Sequence, residues 1–134
     1  MQQDATQQGA TQEQSVPPQD DVRSRCLFCR IADGVIRATV VRSDADTVAF
    51  RDINPQAPTH VLVIPRRHIA RAAEVAGQGV WDALMSAATA VASDEGLAER
   101  GFRLVINSGP DASQSVDHVH VHVIGGRQLS WPPG

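Results

Sequence analysis

Two rhythms of hydrophobic and polar positions run along this chain. In the segment HVHVHVI, His118, His120 and His122 fall at every second position with Val119, Val121 and Val123 between them. Successive side chains of a β-strand point to opposite faces, so the histidines share one face, spread over roughly 13 Å at about 3.3 Å per residue, and the valines the other. Further upstream, Val80, Trp81, Leu84, Met85, Ala88, Val91 and Ala92 recur at helical spacing until Gly96, which predicts one long helix with a glycine stop. CLFCRIADG reads as a short helical turn ended by Gly34. TVVRS and TVAFRD, split by the turn-forming DAD, read as a β-hairpin; HVLVIP is an apolar run of strand length stopped by Pro65; FRLVIN supplies the strand before HVHVHVI. These elements predict an α+β domain over residues 25–134, with a five-stranded, mainly antiparallel sheet, one long helix and one short one. Residues 1–24 are rich in Gln, Ser, Thr and Pro and nearly free of large apolar side chains, so they are expected to form a disordered tail.

Composition narrows the chemistry. The net charge of −3 over 134 residues leaves no basic stripe of the kind that tracks a nucleic-acid backbone, and Arg66, Arg67 and Arg71 read as a solvated face. No stretch is apolar enough to span a bilayer and no signal peptide is visible, so no membrane partner and a cytoplasmic location are expected. Every basic residue is Arg; a lysine nucleophile, a Schiff base and a P-loop lysine are excluded. The five histidines are the side chains that ordinarily titrate near neutral pH.

An imidazole nucleophile needs one ring nitrogen free to face its electrophile and the other holding its proton through a hydrogen bond. His120, flanked by partners on its own face, is the expected nucleophile. His122 and Ser115 can donate to the oxygens of that electrophile or to its leaving group, and Asn107, at the end of the preceding strand, can reach the same oxygens. Alternating His and Val could also be an exposed strand face without chemistry. Cys26 and Cys29 have the spacing of a metal clip, and equally of a redox dithiol or of two buried thiols.

HVHVHVI, GGRQLSWPPG and the upstream DINPQAPTHVLVIP together resemble the histidine triad (HIT) family, in its Hint branch of histidine triad nucleotide-binding proteins. The likeness covers about residues 26–134. It implies a HIT-like fold acting as a homodimer whose two sheets join into one. It also implies hydrolysis of purine nucleoside 5'-phosphoramidates and related nucleotidyl adducts through a nucleotidyl-histidine intermediate, with no organic cofactor. By the same resemblance Asp52 would accept the ribose hydroxyls, Phe50, Ile53, Leu27, Phe28 and Ile31 would form the base slot, His60 would be hydrogen-bonded into the triad, and Trp131 would serve the leaving-group side. From sequence alone Asp52 could equally cap a turn at Asn54-Pro55, and the apolar residues could be ordinary core. Relatives with a Cys pair bind structural zinc with two histidines, which on this chain would be His68 and His118. Ser113 departs from the pattern, standing next to the phosphate where the family usually has Gly. Two other readings are a dinucleoside polyphosphate hydrolase of the Fhit kind, against which the tail GGRQLSWPPG speaks, and a nucleotide-binding interaction module with incidental catalysis.

Overall fold

The computed structural model describes residues 19–134. Helix α1 (Gln19–Arg25) leads through Cys26 into α2 (Leu27–Ala32), and the hairpin β1 (Val40–Ser43) and β2 (Thr47–Arg51) follows. Next come β3 (Thr59–Pro65), α3 (Gly79–Asp94), β4 (Phe102–Val105) and β5 (Val121–Gly125), with 3-10 turns at Ala72–Glu74 and Pro110–Ala112. The five strands form one sheet in the order β1-β2-β3-β5-β4, and all four pairings are antiparallel.

Each face of the sheet has its own core. On one, Leu84, Ala87, Ala88, Val91 and Ala92 of α3 pack on Ala49, Val61, Val63, Val121 and Val123. On the other, Cys26, Phe28 and Cys29 pack on Val48, Phe50, Leu62 and Ile64. Strand β3 is buried along its whole length, which is why it reads as a continuous apolar run rather than an alternation. The glycine pair ending β5 has a steric cause. A Cβ on Gly125 would stand 2.8 Å from the Leu97 side chain, and Gly126 has φ +94.

The structure departs from the sequence reading in two places. Helix α1 begins inside the stretch expected to be a disordered tail, so the ordered chain starts ahead of residue 25; residues 1–18 lie outside the described residues. Its sequence, QDDVRSR, has a single large apolar residue and therefore no period to detect. Secondly, β5 begins at Val121, so His118 and His120 precede its ladder. Val63 pairs with Val121, which sets Pro65 opposite Val119, and a proline has no N–H to extend the pairing. The Val119 N–H donates instead to the Ile69 carbonyl at 2.6 Å.

Candidate active site and Cys-His cluster

The second face of the sheet carries the histidines, and their hydrogen bonds fix which nitrogen of each ring holds the proton. The His118 carbonyl, which can only accept, lies 2.7 Å from His120 Nδ1, so that nitrogen carries the hydrogen and Nε2 keeps its lone pair. The ring of His120 is buried, edge-on to Phe28 at 5.1 Å between centroids. Burial lowers its pKa, against a smaller opposing effect of the bond to the His118 carbonyl. A neutral, oriented imidazole with one open nitrogen is the result.

His122 is set by a longer chain. The Gln56 backbone N–H donates to His60 Nδ1 at 3.0 Å, so His60 carries its proton on Nε2. That N–H lies 2.9 Å from His122 Nδ1 and 3.4 Å from Asp52 Oδ2. His122 must therefore hold its own proton on Nε2, a buried atom with no hydrogen-bond partner among the described residues. An orphaned buried donor is costly unless a ligand satisfies it, so its direction marks where an acceptor belongs. Burial, then His120 and His60, push His122 down to about 4, and burial lowers His60 against the pull of Asp52.

The other expected residues surround this pair unevenly. Asp52 accepts the Asn54 N–H at 2.8 Å with one oxygen, so the turn-capping role and the approach to His60 coexist. Phe28 and Phe50 are buried in edge-to-face contact, 5.4 Å between centroids, and Ile31 packs beside them. Leu27 is 45% exposed and Ile53 99% exposed, leaving two apolar side chains in solvent. Asn107 is half-buried just beyond β4, and Ser115 is exposed. Ser113 has φ 63 and ψ 37, a left-handed conformation that glycine adopts without strain. Trp131 is exposed, with the Arg103 guanidinium 5.9 Å from its ring.

Cys26, Cys29, His68 and His118 converge, their ligand atoms all within 4.8 Å of one another. His118 Nε2–H donates to the Pro65 carbonyl at 2.9 Å, which turns the lone pair of Nδ1 toward Cys26 Sγ at 3.4 Å and Cys29 Sγ at 3.5 Å. His68 Nδ1 lies 3.4 Å from Cys29 Sγ. Sulfur and nitrogen ligands of a tetrahedral zinc stand about 3.5 Å apart, given bonds near 2.3 and 2.0 Å. The donor set, the spacing and the carbonyl holding the far side of His118 all fit that ion. Without an ion, burial first and Cys26 second push the Cys29 thiol up to about 12, and burial pushes His118 down to about 4, so these two side chains are neutral near pH 7.

Sequence reasoning passed over three participants. Gln56 acts through its backbone N–H, and Pro65 through its carbonyl; neither group has a side-chain signature. Arg23 donates to both oxygens of Asp33, at 2.6 and 3.1 Å, and to the Arg66 carbonyl at 2.7 Å, tying α1 to the end of α2 and to the loop after β3. Its basic type beside an acidic residue ten positions on was the available signal.

The sequence model of the HIT domain matches residues 33–129. The maize "14 kDa zinc-binding protein" is 48% identical over 124 residues, covering 83% of this chain and 89% of its own. "Adenylylsulfatase HINT1" of Arabidopsis thaliana is also 48% identical over 124 residues, covering 83% of this chain and 78% of its own. Among solved structures, the HIT family hydrolase from Legionella pneumophila superposes with a TM-score of 0.79 at 50% identity, over 81% of this chain and 99% of that one. With most of its length matched by that domain and its fold shared with a hydrolase at such identity, this chain belongs to the HIT domain family and is a HIT-family hydrolase.

Proposed function

We propose that the protein cleaves purine nucleoside 5'-phosphoramidates and related nucleotidyl adducts to the nucleoside monophosphate through a nucleotidyl-His120 intermediate. The observation that carries this reading is the pair of opposed tautomers: His120 with an open Nε2 lone pair, His122 with an unpartnered Nε2–H. One can attack and the other can donate. His120 Nε2 forms a bond to phosphorus while the phosphorus–nitrogen bond breaks, and the departing amine takes a proton from Ser115 or His122. His122 and the backbone N–H groups near Ser115 stabilise the charge on the non-bridging oxygens, with Asn107 directed to the same group. Water then cleaves the phosphorus–His120 bond, its oxygen going to phosphorus and one proton back to the group that protonated the amine, which releases the monophosphate and restores the imidazole. Asp52 binds the ribose hydroxyls, and Leu27, Ile31 and Ile53 close around the base on a floor made by Phe28 and Phe50. Ser113 stands beside the phosphate. Trp131 serves the leaving group across a homodimer.

Cys26, Cys29, His68 and His118 would hold a structural zinc, which when bound supplies a crosslink and no step of the reaction. The name of the maize relative supports this, as does the fit of the donor set. The name of the Arabidopsis relative adds adenylyl sulfate to the substrates worth testing.

The test is turnover of adenosine and guanosine 5'-phosphoramidates, adenylyl sulfate and a diadenosine polyphosphate by the purified protein. The phosphoramidates should be preferred. His120→Ala should lose at least about 10³-fold in kcat while still folding and binding nucleotide, because no other side chain can form the intermediate. A folded His120→Ala protein with normal rates overturns the mechanism; preference for the polyphosphate overturns the substrate class.

A further inference from the structure

We infer that Arg127 is a positioning residue for the His60–His122 pair, acting through the backbone of Gln56. Its Nε–H donates to the Gln56 carbonyl at 3.0 Å, and its Nη1–H to the Gln128 carbonyl at 3.0 Å, so the guanidinium clamps the chain after β5 to the loop between β2 and β3. A second contact makes the same join. A Cβ on Gly126 would stand 2.9 Å from Pro58 Cβ, showing how closely the two segments run.

Within the loop, the Gln56 side chain donates to the Asn54 carbonyl at 3.0 Å and the Asn54 N–H donates to Asp52 at 2.8 Å. These bonds are local and fix the loop's shape; Arg127 fixes where that shape sits. What depends on it is the single N–H of Gln56, which donates to His60 Nδ1 at 3.0 Å. A backbone N–H can only donate, so while it stays in place His60 has one neutral tautomer, and the His60 Nε2–H in turn dictates the tautomer of His122. If the loop moves away, His60 can protonate either nitrogen. With the proton on Nδ1, His60 Nε2 becomes an acceptor that His122 can meet with an Nδ1–H, and the Nε2–H that faces the reacting group is no longer guaranteed. Arg127 is exposed, yet its influence ends on a buried proton.

The kinetic part of the inference rests on the nucleotidyl-transfer reading above; the spectroscopic part does not. Arg127→Met keeps the aliphatic stem and removes every donor, and Arg127→Lys restores one. Long-range proton–nitrogen correlation spectra of the imidazoles should show His60 as the Nε2–H tautomer in the wild type and as a mixture in Arg127→Met. In turnover, kcat of Arg127→Met should fall about 5- to 30-fold with KM within about twofold, and Arg127→Lys should recover most of it, as expected for misplacement of a group used in the transition state. A wild-type His60 tautomer and unchanged kcat in Arg127→Met overturn the inference. If the wild type turns over none of the substrates while the tautomer still scrambles in Arg127→Met, the inference stands and the proposed function falls. Should Arg127→Met lose its fold, Arg127→Ala carries the test, a scrambled His60 in that folded variant supporting the role and a wild-type His60 opposing it.

Discussion

Ser113 is a residue in a conformation meant for another. Its φ of 63 and ψ of 37 lie in the left-handed region, where a side chain's Cβ crowds the backbone, and the family resemblance already implied glycine at this position. Ser113→Gly should therefore stabilise the protein by about 0.5 to 1 kcal/mol, the relief of strain exceeding the extra chain entropy of glycine in the unfolded state. Thermal melting should show a rise of a few degrees; a fall would mean that the serine hydroxyl makes a compensating bond. The same scale decides how much of the site could be read in advance. His118, His120 and His122 were legible because a side chain's identity and its alternation survive in the sequence. Which nitrogen of each ring carries a proton was not, because it is set by the His118 carbonyl, the Pro65 carbonyl and the Gln56 N–H, groups that almost every residue possesses. The apolar residues divide similarly. Phe28 and Phe50 are buried core, while Ile53 is almost wholly exposed, a difference that hydrophobicity alone does not encode.

Among the elements, α1 and α2 depend on the Cys-His cluster more than on their own propensity. Helices of seven and six residues are too short to persist alone, and α2 is held by Cys26 and Cys29 against His118 and by the Arg23–Asp33 pair at its end. Hydrogen bonding to Arg23 keeps the Asp33 carboxyl below its ordinary pKa. A zinc ion here would join a helical turn, a loop and the segment before β5, so metal analysis should find about one zinc per chain. A strong chelator should lower the melting temperature by several degrees or more. Cys26→Ser should lose the metal and lower activity indirectly, through Phe28 and the His120 ring it touches. A melting curve that ignores chelation, with no metal found, would return the Cys pair to plain packing. The helical period of α3 and the unbroken apolar run of β3 were read from the sequence close to their observed limits. Helix α1 was missed for want of a period, and the start of β5 was misplaced because the limit is imposed by Pro65 on a different strand.

For the whole molecule, the sheet is a partition, with α3 and the larger core on one side and the histidines and the Cys pair on the other. It ends in two unlike edges. On β1 the pairing with β2 shifts register between Val40 and Arg42, an irregularity that discourages further strands, whereas β4 pairs with β5 in even register and leaves its far side open. The family resemblance implies a dimer whose two sheets join into one; with β5 inside the sheet, the edge open to such a join is that of β4, whose Arg103 lies beside Trp131. Sedimentation at micromolar concentration should give a two-fold dimer; a fully active monomer would remove that role from Trp131. The strand order has one more consequence, for how the protein is made. Strand β5 follows β4 in the chain yet lies between β3 and β4, so β3 has only β2 beside it and β4 has no partner strand until residues 121–125 arrive. A ribosome adding about 5 to 20 residues per second delivers the hairpin, β3 and α3 first. The segment that completes the sheet is also the one that seats His120, so on a growing chain the proposed nucleophile and the finished fold appear in the same event.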